Sequence, residues 1–541
     1  MKSLKLSPFF TVTAIALGLS ISAHAADDRY IIQVEDSKKG VVKALAKKLG
    51  GEINVDSKGF FAATFSGKTL AEVKGLLNNP YIMLIEEDRV RKPSALFNDD
   101  AGNPMDQQIT PYAVYQAQAD RVDFLPGQGI KVCVIDSGLD SSNPDFVSGT
   151  VDGTNDPGTG NWFEAGGAHG THVAGTIAAA DNGFGVVGMA PGVPLHIIKV
   201  FNAAGWGYSS NLAQAAHLCG EAKANIISMS LGGGGANSTE ENAFKDFTTN
   251  GGLVLAAAGN DGNAVRSYPA AYSSVMMIGA NDSDNNIASF SQYPACTSGQ
   301  GSSQTRDETS CVEVTAGGVN TLSTFPAGLA RTAALRAQGS AFESAAMENN
   351  GTVNGATYFM GTAQETDANA DGKICVIDRG LISFFKKVHN CEESGGTGAL
   401  IINNKPGVLH GTLGKARTNT TTIPAVGAAL EDRGALLAAS TADISVTPSD
   451  YGFLSGTSMA TPAVSGVAAL VWSNHPTCTG TQIRDALKAT AWDGGPSGKD
   501  VYFGYGIVQA ADASQYITDN KVCDSAVTLS TLINFLLQPN I

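Results

Sequence analysis

Three short segments of the chain carry side chains able to share one proton. "KVCVID" ends on Asp136 and is followed by Ser137-Gly138. "HGTHVAGT" opens on His169, and "LSGTSMATP" sets Ser458 between a turn-forming Gly-Thr and a run of small helix formers. Each alone has an ordinary structural reading: a strand-ending Asp caps a turn, a lone His packs in a core, and Ser before an apolar run starts many helices. Together, in the order Asp, His, Ser, they match one arrangement of the acyl-transfer triad. A serine hydroxyl is a poor nucleophile at neutral pH and needs an adjacent base, here the His169 imidazole. Asp136 then accepts the other ring N–H, fixing the tautomer and stabilising the imidazolium as it forms.

These residues need strand ends and helix starts to hold them. Apolar runs at 130–135, 195–200, 226–230, 253–257 and 275–278 read as buried parallel strands with helical segments between several of them, an α/β pattern. Ser458 opens what reads as the last helix. Residues 29–92 alternate differently and predict β-α-β-β-α-β, a small split-βαβ sandwich. "PSALFNDDAGNPMDQ" at 93–107 reads as a polar linker bearing Pro and Gly. From about 330 to 448, "GKICVIDRG", a helical "FFKKVHNCEESG" and "GALIINN" mark a β-rich inserted module.

With 541 residues, two to four domains are expected. The 63 glycines, 16% charged and 43% apolar residues suit a packed α/β protein with many tight turns. The formal charge of −15 argues against nucleic acid or an anionic membrane as partner. Lys2 and Lys5, the apolar run from Phe9 to Ile21 and Ala23-His24-Ala25 predict a secretion signal over 1–25; the run is too short for a membrane anchor. Export makes disulfides the expected state of the eight cysteines, and the chain contains no CxxC.

The segments "VIDSGLDSSNPDF", "HGTHVAGT", "ISMSLGG", "AAAGNDG" and "SGTSMATPAVSG" resemble those of the subtilisin-like serine peptidases, the subtilases. The leading block resembles that family's inhibitory propeptide, and the insert resembles a protease-associated (PA) domain. The resemblance implies a subtilisin-like parallel sheet with helices on both faces, preceded by a ferredoxin-like propeptide and carrying a PA-type insert. It implies the division 1–25 signal, 26–92 propeptide, 93–107 processing region, 108–330 and 449–513 catalytic domain, 331–448 insert and 514–541 tail. The enzyme implied is a secreted, monomeric serine endopeptidase acting on proteins and peptides, made as a zymogen inhibited by its own propeptide and cleaved between about 93 and 107.

Site residues follow by position. Asn260 matches the oxyanion-hole asparagine, with the backbone N–H of Ser458 as second donor. Ser230, Leu231, Gly232 and Gly233 with Ala257, Ala258 and Gly259 match the walls of the primary specificity pocket. Gly205, Trp206 and Gly207 match the edge segment that pairs with an extended peptide. Structural calcium is implied at Asp145 and Asn182, with the carbonyls of Ala180, Phe184 and Val186 and the amide oxygen of Gln108, all hard oxygen donors. A second candidate, "DANADGKICVID" from Asp367 to Asp378, copies the spacing of a calcium loop. The pairings expected are Cys296 with Cys311, Cys375 with Cys391, and Cys478 with Cys523. The family's strand order brings Cys219's helix over the strand of Cys133.

Three rival readings, of which the secreted esterase and the inactive binding protein are the alternatives, fit the residues less well. A nucleophile elbow, which would make an exported esterase, needs a second glycine where Ala460 stands and places Asp and His after the serine. Zinc at His169 and His172 lacks the glutamate and the i,i+4 spacing of a zinc helix. An inactive binding protein would not need all four chemical positions intact.

Overall fold

The computed structural model describes residues 29–65, 68, 70–87, 97–100, 102–156, 159–201, 207–298, 304–414 and 417–523. The predicted signal, the tail beyond 523, and Gly205 and Trp206 lie outside the described residues. The chain divides into two compact units, Met1–Pro93 and Ser94–Ile541.

In the first unit the elements are β1 (Arg29–Val34), α1 (Lys39–Lys48), β2 (Glu52–Ser57), β3 (Phe60–Thr64), α2 (Leu70–Leu76) and β4 (Ile82–Glu87). The strands form an antiparallel sheet in the order β2-β3-β1-β4. Tyr30, Ile32 and Val34 alternate onto one face, as strand period demands. They meet Phe61 and Ala63 of β3 and Val42 and Ala46 of α1 in one apolar core.

The second unit opens with α3 (Tyr112–Gln116), β5 (Val132–Asp136), β6 (Val151–Thr154), α4 (His169–Ala178), β7 (Leu195–Lys199), α5 (Ser209–Glu221), β8 (Ile226–Met229), α6 (Ser238–Thr249), β9 (Leu253–Ala257) and β10 (Val275–Asn281). A short hairpin, β11 (Thr297–Ser298) and β12 (Thr305–Arg306), precedes β13 (Val314–Gly317) and β14 (Thr321–Thr324). Seven strands make one sheet in the order β13-β10-β9-β8-β5-β7-β6, and every neighbouring pair is parallel. Each residue of β5, β9 and β10 is buried, which explains their unbroken apolar runs: helices cover both faces. Val132 and Val134 pack on one side with α4 residues such as Val173 and Ile177, whereas Cys133 and Ile135 pack on the other with Ala215 and Cys219 of α5.

The inserted module runs through β15 (Ala330–Ala337), β16 (Ser340–Phe342), β17 (Ser344–Ala346), β18 (Gly351–Phe359), β19 (Ile374–Asp378), α7 (Phe384–Glu393), β20 (Gly398–Ile402), β21 (Ala425–Ala428), α8 (Arg433–Ala438) and β22 (Thr441–Ser449). Its eight-stranded sheet, ordered β16-β15-β22-β18-β19-β20-β21-β17, has its own apolar cores. The chain returns through β23 (Tyr451–Leu454), antiparallel to β14, and continues into α9 (Thr457–Asn474), α10 (Gly480–Ala489) and α11 (Ala510–Asn520). The helix of Ser458 is therefore not the last. The start of α10 carries a reciprocal Thr479–Gln482 capping box that the sequence reading passed over.

Disulfides join Cys133 to Cys219, Cys296 to Cys311, Cys375 to Cys391 and Cys478 to Cys523. The first pair, the longest in sequence, has Cα atoms 5.7 Å apart, inside the range a disulfide spans without backbone movement. Residues of the 93–107 segment are built into the second unit: the Phe97 N–H donates to the Ser283 carbonyl at 3.1 Å, and Asp99 Oδ1 accepts the Tyr112 N–H at 2.7 Å. Among the described residues no helix is long and apolar enough to cross a membrane.

Candidate active site

In a parallel sheet, side chains converge where adjacent strands end at their carboxyl edges, beside the point where strand order reverses. Here β5 is that point, with the later strand β7 on one side and β8, then β9, on the other. Asp136 is the last residue of β5, Ser230 follows β8, and Ala258-Gly259-Asn260 follow β9.

Asp136 is fully buried, and its Oδ1 accepts the Ser137 N–H at 2.7 Å and bonds His169 Nδ1 at 2.8 Å. A carboxylate only accepts, so Nδ1 carries the hydrogen and Nε2 is the basic nitrogen of the neutral ring. His169 is the first residue of α4. The helix approaches β5 this closely because the next residue is glycine: a Cβ at Gly170 would lie 2.2 Å from the Gly138 carbonyl. The Gly170 N–H, one of the unpaired donors of a helix start, bonds the Ser137 hydroxyl at 3.0 Å. Burial is the largest influence on the His169 ring and disfavours its charged form. The charge and hydrogen bond of Asp136 outweigh it and hold His169 above the ordinary histidine value.

Ser458 is the second residue of α9, and its surroundings follow from Pro462. Proline has no N–H to give the carbonyl four residues back, so the Ser458 carbonyl needs another donor. The Ser230 hydroxyl supplies it at 2.7 Å, and the Ser458 hydroxyl donates in return to the Ser230 carbonyl at 3.0 Å. The Ser458 hydroxyl proton thus points at Ser230.

Asn260 is exposed, and its Oδ1 accepts both the N–H and the hydroxyl of Thr457 at 2.9 Å. Those two bonds fix which side of the amide is oxygen and leave Nδ2 facing away from Thr457. Two amide donors, Asn260 Nδ2 and the N–H of Ser458, thus stand at the helix start.

The segments expected to wall a specificity pocket leave the adjacent strands β8 and β9. Ser230, Ala257 and Ala258 are buried, Leu231 and Gly259 are half-buried, and Gly232 and Gly233 are exposed. Sequence reasoning passed over two neighbours of these glycines. A Cβ at Gly232 would meet Ser267 Oγ at 2.6 Å, and one at Gly259, whose φ is +111°, would meet Gln292 Oε1 at 1.8 Å. Gly207 is described and exposed.

At the implied calcium residues, Asp145 is fully buried; its backbone carbonyl takes the Ala180 N–H at 2.9 Å, and its Oδ2 accepts the Val186 N–H at 2.8 Å. Burial pushes the carboxyl up to about 6, against the Val186 N–H and the Asn182 and Tyr451 side chains, which favour its charged form. A buried carboxylate held above its ordinary value is one that a hard cation would stabilise. Gln108 Oε1 accepts the N–H groups of Asn182 and Gly183, and Asn182 Oδ1 accepts the Phe184 N–H at 2.9 Å. The donor set fits a hard cation through Asp145, while both amide oxygens are turned to backbone N–H groups. Among the described residues there is no group of three or more His, Cys, Asp or Glu placed to hold a metal.

The second calcium candidate does not form a loop. Asp367 caps a short 3-10 turn through Asn369, and Asp378 lies at the far end of the straight strand β19, where Arg433 binds it through two 2.8 Å bonds. An extended strand of that length carries Asp378 more than about 10 Å from the loop it was to close.

A buried parallel sheet thus carries an Asp–His pair at its reversal point and a serine at the start of α9. The model described as the subtilase family, Peptidase_S8, matches residues 127–362 and 416–506, and the PA domain model matches 338–436. The chain belongs to the subtilase family and carries a PA domain as an insert. Subtilisin E of Bacillus subtilis (strain 168) is 27% identical over 534 residues, covering 95% of this chain and 99% of that protein. Subtilisin Savinase of Lederbergia lenta is 39% identical over 229 residues, covering 40% and 76%. The alkaline protease of Alkalihalobacillus alcalophilus is 37% identical over 265 residues; the matched region spans 60% of that protein's length and 47% of this chain. The crystal structure of a psychrophilic subtilisin-like protease from the Antarctic psychrotroph Pseudoalteromonas sp. AS-11 matches with a TM-score of 0.61 and 36% identity, over 76% of this chain and 98% of that one.

Proposed function

We propose that the protein is a serine endopeptidase in which Ser458 is the nucleophile, His169 the general base and acid, Asp136 the group that orients and stabilises His169, and Asn260 an oxyanion donor. The observation that carries this is the 2.8 Å bond between buried Asp136 and His169, on strand and helix ends beside Ser458's partner Ser230. His169 Nε2 takes the Ser458 proton as Oγ attacks the peptide carbonyl. The oxyanion rests on Asn260 Nδ2 and the Ser458 N–H, a donor worth roughly 3–4 kcal/mol of barrier. Collapse breaks the C–N bond, His169 returns the proton to the departing amine, and water then hydrolyses the acyl-enzyme by the same two proton transfers. Ser458→Ala should lower casein and peptide hydrolysis by about 10⁶-fold; hydrolysis at the wild-type rate would overturn the assignment.

The same reading makes 26–92 a propeptide and 1–25 an export signal. Sequencing the N-terminus of secreted mature enzyme should find a start between 93 and 107, and a start at Ala26 would contradict it. Calcium would be held by Asp145 with Gln108, Asn182 and the carbonyls of Ala180, Phe184 and Val186, offsetting the negative charge of the buried Asp145 carboxylate and pinning the segment at Gln108 to the core. It takes no part in the proton transfers. Calcium should lengthen the thermal inactivation half-life of wild type over that in chelator and leave Asp145→Ala unmoved; equal protection of both would exclude this site.

A further inference from the structure

The strands that lead into and out of the inserted module, β14 and β23, form an antiparallel ribbon that packs on α4, and α4 in turn packs on α9. One face of β14 lies on α4. The Nε2 of His172, one turn after His169, bonds the Thr321 carbonyl at 2.9 Å. A carbonyl only accepts, so the ring donates. The Ser323 hydroxyl donates to the His172 carbonyl at 2.9 Å, and the Thr324 hydroxyl to the Thr171 carbonyl at 2.8 Å. Thr171, His172, Thr321, Ser323 and Thr324 are all buried to within 1%. The fit depends on glycine at 175, where a Cβ would stand 2.2 Å from Thr324 Oγ1 and 2.7 Å from Ser323 Oγ. Burial drives the His172 ring down to about 3, so at working pH it is a neutral donor and not a charge.

The other leg of the ribbon runs into the nucleophile. After β23, the Ser455 hydroxyl accepts the Asn320 N–H at 2.8 Å, and the Gly456 N–H donates to the Gly318 carbonyl at 2.8 Å, two residues before Ser458. Buried Asn143 ties the legs where the insert departs, donating to the Phe325 and Asp450 carbonyls at 3.2 and 3.1 Å.

Resting on the triad reading above, we propose that His172 is a positioning residue: with Ser323 and Thr324 it locks α4 to the ribbon that ends at Ser458, so that the footing of the insert sets the approach of His169 to the nucleophile. An ångström of misplacement between reacting groups costs about a hundredfold in rate. A ring that only filled space would be replaced by any side chain of its size, whereas the lock needs the N–H.

The test uses the full chain as wild type, His172→Leu, His172→Gln and the pair Ser323→Ala/Thr324→Val. It measures kcat and KM on a short chromogenic peptide and the rate at which a phosphonyl fluoride inactivates the enzyme. His172→Leu should lower kcat about tenfold or more with KM within about twofold, and slow inactivation in proportion. His172→Gln, whose amide N–H reaches about as far, should recover most of the loss. A His172→Leu kcat within about twofold of wild type, or a His172→Gln no better than His172→Leu, overturns the proposal. Should His172→Leu fail to fold, the paired hydroxyl variant decides: a fall in kcat of about threefold or more at unchanged KM supports the lock, and an unchanged kcat overturns it. Failure of the triad reading is distinct, since Ser458→Ala would then keep wild-type activity.

Discussion

Two strands of this molecule read Cys-Val-Ile-Asp, and only one of them ends at a histidine. In the seven-stranded sheet, β5 places Cys133, Val134, Ile135 and Asp136 between parallel neighbours β7 and β8. In the insert, β19 places Cys375, Val376, Ile377 and Asp378 between parallel neighbours β18 and β20. Each cysteine is bonded to a helix of its own domain, Cys133 to Cys219 on α5 and Cys375 to Cys391 on α7. The carboxylates differ. The Asp136 side chain is fully buried against His169, whereas the Asp378 side chain is 26% exposed and held by both arms of Arg433, itself 41% exposed. The same four residues build the same strand, and the partner supplied by a distant segment decides between chemistry and a surface clamp.

The largest effect should separate the two aspartates. Asp136→Asn lets His169 take the wrong tautomer and should lower kcat by about 10⁴-fold. Asp378→Asn loses only a partly exposed ion pair, worth about 1 kcal/mol or less, and should leave hydrolysis of a short peptide nearly unchanged. Comparable losses from both substitutions would mean that the insert's strand end is part of the site.

The disulfides sharpen the contrast at the level of stability. Replacing Cys133 and Cys219 by serine should cost roughly 2–4 kcal/mol and lower the melting temperature of the seven-stranded domain. The same change at Cys375 and Cys391 should act on the insert, leaving the rate of phosphonyl fluoride inactivation at 25 °C as in wild type. Calorimetry with that rate beside it reads both, and a slowed rate in the second variant would contradict the separation.

The smallest effect is in pH. Asp136 holds His169 above the ordinary value of 6.5, and the base must be neutral to act. Activity is therefore lost as pH falls through that raised value, and the acid limb of kcat/KM should lie above pH 6.5. In Asp136→Asn the residual activity should show the limb displaced downward, because burial then acts on the ring without the opposing charge. Asp378→Asn should leave the limb in place.

Much of this was legible in the residues because local physics and chemistry agreed there. The unbroken apolar runs of β5, β9 and β10 meant strands buried on both faces, and each is buried throughout. Asp136, His169, Asn260 and Ser458 stood at the exits of those strands or at helix starts, where short motifs mark them. What the sequence hid depends on segments far apart in the chain. The partner of His172 is Thr321, 149 residues away. The consequence of Pro462, a carbonyl satisfied by Ser230, crosses 228 residues. Spacing alone misled at 367–378, where the loop periodicity is real but β19 draws the last ligand straight away from the rest.

The central claim is that one hydroxyl, Ser458, is activated by one imidazole, His169. Treating the full chain with a phosphonyl fluoride and mapping the modified peptide measures this directly. The account predicts a single stoichiometric adduct on Ser458, lost in Ser458→Ala and formed at least about a thousandfold more slowly in His169→Ala. An adduct on another residue, or one on Ser458 that forms as fast without His169, would contradict it.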